Sequence, residues 1–317
     1  MQVFDVIVVG ELNVDLIFNG MRGFPKIETE VLSEEMTLTL GSSSAICASN
    51  LSSLGLKVGF IGKLGNDTFG HFIIDKLKEK GVDTSMILIE DNLKTGATVA
   101  LNYAEHRSMV TYQGAMSSLT VNDIDEHQLK QAKHIHFSSY FFQPGFKDKL
   151  HILFEKAKNV GTTTSLDVQW DPMEKWNLDV EKVLPSVDIF MPNKAELLNI
   201  TRKSNVESAI NSIKNKSKHI VVKCGSMGSL LFYDGKKIEK KSFLNSEVVD
   251  AIGAGDSFNA GFISKFIKGK PAEECQEFGN LTGAISTTKP GGTEAFENIA
   301  SILEIAKNKF NFIESTE

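Results

Sequence analysis

The 317-residue chain is long enough for one large domain or two smaller ones, and 41% hydrophobic with 23% charged residues is the balance of an ordinary globular protein. Its 34 basic and 40 acidic residues leave a net charge of −6 with no basic block, which excludes nucleic acid and anionic lipid as natural partners. Three scattered cysteines, Cys47, Cys224 and Cys275, show neither metal-ligand spacing nor an even disulfide set, so a reducing, cytoplasmic setting is expected.

The opening "MQVFDVIVVGELNVDLIF" has a short apolar run and no basic leader, and reads as a buried strand over Val6 to Gly10 rather than a signal peptide. No stretch approaches membrane-span length. Just past that strand, "GELNVD" places Asn13 and Asp15 two residues apart, on one face of an extended segment. The pair suits either a polar turn or the hydrogen-bonding of vicinal hydroxyls.

Val31 to Leu40 and Thr98 to Gln113 alternate polar and apolar residues, the second around a polar turn at Ala104 to Arg107. This predicts an antiparallel ribbon solvated on one face. Elsewhere strands alternate with helices. Val58 to Gly62, His134 to Ser139, Thr163 to Val168, Asp188 to Asn193 and His219 to Lys223 read as strands covered on both faces. Ser43 to Leu54, Thr68 to Lys80, Lys147 to Asn159 and Val206 to Asn215 read as helices. The rhythm predicts an open, mostly parallel α/β sheet with helices on both sides, and the ribbon stretches read as a small β-subdomain formed by excursions from it. His134 and His136 share a strand face without a third ligand, so they read as packed side chains rather than a metal site.

Three later stretches carry chemistry. "MPNKAELLNI" pairs Asn193 with Glu196 as a capping box, or as a carboxylate facing hydrated Mg²⁺. "KCGSMGS" follows a strand and brings Lys223, Gly225, Ser226 and Gly228 to a turn where backbone could approach a nucleotide. In "VVDAIGAGDSFNAGF", Gly253, Ala254 and Gly255 precede Asp256 at the start of a helix with Phe258, Phe262, Ile263 and Phe266 on one face. A bare turn at a helix N-terminus suits a phosphate or a developing anion, and a carboxylate there can take a proton from a hydroxyl or simply cap the helix.

In order, the chain carries G-x-x-N-x-D, a Gly-Ser-rich helix start, "GKLGNDTFG", N-x-x-E, x-x-G-x-x-G and D-x-x-G-A-G-D. Over almost its whole length this resembles the ribokinase/pfkB family of carbohydrate kinases. The resemblance implies a doubly wound, Rossmann-like α/β body with a small β-lid, forming one kinase domain over residues 1–317 with lid excursions at about 12–40 and 95–115. It implies transfer of the γ-phosphoryl group of ATP to a ketose, pentose, deoxy sugar or sugar acid. A nucleoside kinase and a catalytically silent binding protein are the alternatives.

Asp256 matches the family's base and Gly253, Ala254 and Gly255 its anion hole. Asn193 and Glu196 match positions near the phosphates and Mg²⁺. Lys223 through Gly228 and Asn280 match the nucleotide site, while Asn13, Asp15, Gly41, Ser42 and Ser43 match the sugar site. Asp250, the Ile252 backbone and the loop Thr288 to Gly292 match a potassium site, and a homodimer through the lid is implied. The chain departs from the family at Ser42, where a second glycine is usual, at Ile46, where an amide is usual, and at Lys194, where glutamate is frequent. The first two turn the expected acceptor away from ribose, toward a ketose, a deoxy sugar or a nucleoside. The resemblance puts both positions in the sugar pocket, so Ile46 is expected to line it.

Overall fold

The computed structural model describes residues 2–103 and 106–313. From the N-terminus come β1 (Phe4–Val9), β2 (Asn13–Asn19), β3 (Glu35–Leu40), α1 (Ser43–Ser53), β4 (Val58–Gly65), α2 (Thr68–Glu79), β5 (Ile87–Glu90), β6 (Gly96–Tyr103) and β7 (His106–Tyr112). The chain continues through α3 (Glu126–Leu129), β8 (Ala132–Phe137), α4 (Leu150–Asn159), β9 (Thr163–Leu166), α5 (Val180–Val183), β10 (Ile189–Phe190), α6 (Lys194–Thr201), α7 (Val206–Ile213) and β11 (His219–Lys223). A hairpin of β12 (Ser229–Tyr233) and β13 (Lys236–Lys240) precedes α8 (Ala254–Phe266), α9 (Ala272–Ser286) and α10 (Ile299–Phe310).

Nine strands form the main sheet in the order β13-β12-β11-β10-β9-β8-β1-β4-β5. Every neighbouring pair is parallel except the two made by β12. Strand β1 shows why the sheet is buried on both sides: Val6 and Val8 pack into one hydrophobic layer, Ile7 and Val9 into the other. The chain order turns around at β1, between β8 and β4, and the carboxyl edge at such a switch point is where an open α/β sheet forms its crevice.

Two features were not anticipated from the apolar runs. The antiparallel hairpin turns at Asp234 and Gly235, both at positive φ (48° and 73°), the geometry that matches strand twist in a two-residue turn. Strand β10 is two residues long instead of six, because Pro192 has no N–H to continue the ladder and only its carbonyl is used, by Lys223 N.

A second sheet of four strands, β3-β2-β6-β7, stands at the carboxyl edge of the first. Its two hairpins are antiparallel, as expected, but its central pair β2–β6 is parallel, because both strands leave the carboxyl edge of the main sheet in the same direction. Register places Asp15 beside Thr39 and Thr98, and Asn19 beside Glu35, on the face that carries Arg107. Of the turn at Ala104 to Arg107, Ala104 and Glu105 lie outside the described residues.

Candidate active site

Gly253 caps α8 in the left-handed region, at φ 71°, and no side chain caps the helix. A Cβ at Gly253 would come within 2.8 Å of Gly292 Cα and 3.1 Å of Ile46 Cγ2, so only glycine fits this close approach. Ala254 N bonds the Ala251 carbonyl at 3.3 Å, which leaves the N–H groups of Gly255 and Asp256 for an external acceptor, and the helix dipole adds to their pull on an anion. Asn50 braces the turn from α1, donating to Ser257 Oγ at 2.9 Å and to the Gly292 carbonyl at 3.0 Å. Ile46 packs against the same two glycines. Its side chain therefore wedges the turn against the loop after α9, a packing contact made at the turn itself.

Asp256 follows in the first turn of α8, buried. Burial raises its carboxyl to about 8, with Asp167 and Glu11 pushing the same way, while Lys223 and a hydrogen bond from Ser43 oppose. The Gln169 amide also donates to Asp256 Oδ1, at 3.0 Å. Lys223 Nζ lies 2.6 Å from Asp167 Oδ2 and 3.3 Å from Asn259 Oδ1. Burial works against its charge, but Asp167 and Glu196 outweigh that and raise it. A fixed cation thus sits among Asp167, Glu196 and Asp256.

Lys223, Gly225, Ser226, Gly228 and Asn280 line a single cleft of about 280 Å³, which Ala254 and Gly255 also line. Asn193 and Glu196 are absent from that lining. They form the complete capping box of α6: Glu196 Oε2 accepts from Asn193 N at 2.8 Å and Glu196 N donates to Asn193 Oδ1 at 2.9 Å. An isolated bridge pairs Asn193 with Lys223, so the box stands next to the lysine. Burial, then Asp167, raises the Glu196 carboxyl to about 7.

Asn13, Asp15 and Gly41, the positions matched to a sugar site, come together at the start of the small sheet. Asn13 Nδ2 donates to Asp15 Oδ1 at 2.8 Å and to Thr98 Oγ1 at 3.2 Å. A Cβ at Gly41 would lie 2.3 Å from Asp15 Oδ1, so the absence of a side chain there admits the carboxylate. Burial raises Asp15 to about 6, against its Asn13 bond and the Arg107 charge. Farther along that face Ile17, Thr37, Asn19 and Arg107 line a cleft of about 650 Å³ against Asp250 and Gly291.

Two expected contacts are used internally. Ser42 caps α1, accepting from Ala45 N at 3.0 Å and donating to the Glu11 carbonyl at 2.6 Å. It holds φ 74°, which explains why glycine suits that position. Asp250 Oδ1 accepts from Ile252 N at 3.0 Å and Oδ2 from Gly291 N at 3.1 Å, with an Arg107 Nη 3.8 Å away. Its carboxylate is a clasp between turn and loop that already faces a cation, and these contacts favour the turn role over potassium ligation.

Sequence reading missed Glu11, Asp167, Gln169 and Arg107. The first three follow β1 and β9 at the carboxyl edge, so their place past a parallel strand was the available signal. Glu11 is buried and accepts from Ser139 Oγ at 2.7 Å, and its charge reaches both Asp15 and Asp256. His134 and His136 are packed as expected: both rings meet Ser165 Oγ at 2.7 Å, and burial lowers them to about 3 and about 4.

A doubly wound α/β body with a bare helix N-terminus, a cleft beside it and a buried carboxylate behind it defines a small-molecule phosphotransferase. The chain belongs to the pfkB family of carbohydrate kinases, whose family model matches residues 3–299. It is 30% identical over 329 residues to the 5-dehydro-2-deoxygluconokinase of Clostridium botulinum (strain Alaska E43 / Type E3), covering 96% of this chain and 94% of that one. The 2-dehydro-3-deoxygluconokinase of Bacillus subtilis (strain 168) is 26% identical over 321 residues, 94% of this chain and 95% of its own. The Arabidopsis thaliana ribokinase complexed with ribose and ATP superposes with a TM-score of 0.85 at 25% identity, covering 97% and 99% of the two chains. The protein is a carbohydrate kinase. Among the described residues no helix is long and apolar enough to cross a membrane.

Proposed function

We propose that this kinase moves the γ-phosphoryl group of ATP onto a hydroxyl of a small sugar acid, with Asp256 as general base. The observation that carries the reading is the buried Asp256 carboxylate beside the uncapped start of α8, one wall of which opens on the 280 Å³ cleft. ATP in that cleft would set its phosphates against Ala254 and Gly255, and Lys223 would offer a fixed positive charge. The acceptor, held by Asn13 and Asp15 through neighbouring hydroxyls, gives its proton to Asp256 as the oxygen attacks. Charge developing on the transferring group is met by the N–H groups of the turn. This is positioning plus electrostatics, the form catalysis takes in phosphoryl transfer.

Mg²⁺ fits this arrangement as an ion carried on the nucleotide. Among the described residues no group of three or more acidic, His or Cys side chains could hold a metal alone. Glu196, buried and bonded by Asn193, suits an outer-sphere contact through the waters Mg²⁺ retains. When bound, the ion neutralises phosphate charge.

The acid is supported by Arg107, a guanidinium on the inner face of the small sheet, and by the names of the two kinase relatives. Arg107→Gln is expected to lower kcat/KM for sugar acids by roughly tenfold to hundredfold, the worth of one charge-assisted hydrogen bond, and to spare neutral sugars and the KM for ATP. Equal loss on acidic and neutral acceptors would remove the assignment. ADP release measured across sugars, nucleosides and sugar acids tests the whole reading; a nucleoside as best acceptor would overturn it.

The outer face of the small sheet supports a symmetric dimer. Register aligns Leu16, Phe18, Met36, Val99, Leu101 and Val110 on that face, and Met36 and Val110 are exposed. Such a patch on a sheet with open edges is a liability for a monomer. Light scattering at micromolar concentration should return twice the 34.9 kDa chain mass, and Val110→Lys should return it to one. A monomer in the unmodified protein would exclude the dimer.

A further inference from the structure

The segment after β9 is held in an unusual backbone path whose product is one hydrogen bond. Asp167 N still bonds the Phe137 carbonyl at 3.0 Å, and its carboxylate is anchored by Lys223. Two residues later Gln169 takes φ 61°, a left-handed conformation that a residue with a side chain adopts only when its surroundings impose it. The downstream half is pinned as well. The buried Asp171 carboxylate accepts from Met173 N at 2.9 Å and from Trp176 N at 2.6 Å. Trp176 in turn packs edge-on against Trp170, with centroids 4.8 Å apart. Fixed at both ends, the turn sends the Gln169 side chain back over the sheet edge to donate to Asp256 Oδ1 at 3.0 Å.

We propose that Gln169 is a positioning residue for the base, its amide fixing the Asp256 carboxylate in place and favouring the ionised form that accepts the proton. The inference rests on Asp256 being the base. The charged and titratable groups facing that carboxylate are Asp167 and Lys223 from the strand ends, Glu11 after β1 and Cys47 on α1. Asp167 and Glu11 resist ionisation and Lys223 favours it. A neutral donor is thus the means left to hold the anion without adding a further charge. Two donors are present: the Ser43 hydroxyl, which rotates freely about its C–O bond, and the Gln169 amide, whose direction the turn fixes.

The test compares Gln169→Leu, which keeps the bulk and loses the donor, with Gln169→Gly, which suits the left-handed backbone and loses the donor too. Removing a donor to the ionised form raises the pKa, so in both variants the acid limb of the kcat/KM profile should move up by about one pH unit. Activity near pH 7 should fall about tenfold and return on the alkaline side, with the KM for ATP unchanged. If Gln169 served only to shape the turn, Gln169→Gly would keep the wild-type profile, and that result would overturn the proposal. So would a loss uniform across pH in both variants. Asp256→Asn separates this inference from the one beneath it: near wild-type turnover there removes the base itself. An inactive Asp256→Asn beside an unmoved limb in the Gln169 variants removes only the role of Gln169.

Discussion

Asp256→Asn should lower kcat by on the order of 10² to 10⁴, the usual worth of a positioned general base, while the KM for ATP stays close to its original value. The separation follows from the walls of the cleft: Ala254 and Gly255 line it and Asp256 does not. The unmodified enzyme should show kcat/KM climbing with pH through an acid limb near 8, because the carboxyl raised to about 8 must ionise before it can accept the proton. The same shift fixes the sign of a stability effect. Unfolded, the group ionises near 3.8; folded, near 8. Between those values the unfolded chain releases a proton that the native state retains, so the wild-type carboxyl favours unfolding increasingly as pH rises. The asparagine variant should therefore melt at a higher temperature than the wild type at pH 8, with the gap closing toward pH 4. A variant that melts higher yet turns over normally would leave Asp256 a buried liability with no catalytic purpose.

The features legible in the sequence were those written in adjacent residues. The uncapped turn at Gly253 to Gly255, the Asn193–Glu196 box and the i, i+2 pair at Asn13 and Asp15 each depend on spacings of two or three positions. What escaped was assembled across the chain. Gln169 meets Asp256 from 87 residues away, and Glu11 reaches Ser139 from 128 away. No local pattern distinguishes either from an ordinary polar residue in a loop. Ile46 illustrates the same limit from the other side. Its difference from the family amide was visible, but its direction was not, since that depends on how α1 crosses α8 and on two glycines that leave room for it. The hairpin of β12 and β13 is a different case. Its Asp234-Gly235 turn is a local signal, but half of the hairpin is polar, so it lacks the near-continuous apolar run that marks a buried strand.

Gly41→Ala should reduce kcat/KM for the sugar acceptor by about a hundredfold, the scale of an ångström's misplacement at a binding group, and leave ATP kinetics untouched. The added Cβ would lie 2.3 Å from Asp15 Oδ1 and 2.6 Å from Asn13 Nδ2, distances at which something must move. The backbone of Gly41 has little freedom to yield, because its N–H bonds the Asn13 carbonyl at 3.0 Å and the next residue is the cap of α1. Asp15 cannot simply swing away either: it is tied to Asn13, which also donates to Thr98 Oγ1 and, at 3.1 Å, to the Val14 carbonyl. The displacement therefore falls on the two side chains proposed to grip neighbouring hydroxyls, and both shift together. Overpacking of this kind costs about 1–3 kcal/mol of stability, so the variant should still fold. The loss should appear mainly in the KM for the sugar, because the three atoms nearest the added methyl all belong to Asn13 and Asp15, and Gly41 does not line the 280 Å³ cleft. Should Gly41→Ala melt lower but bind and phosphorylate the acceptor normally, Asn13 and Asp15 would be structural partners of the small sheet, and the sugar would have to be held elsewhere along it.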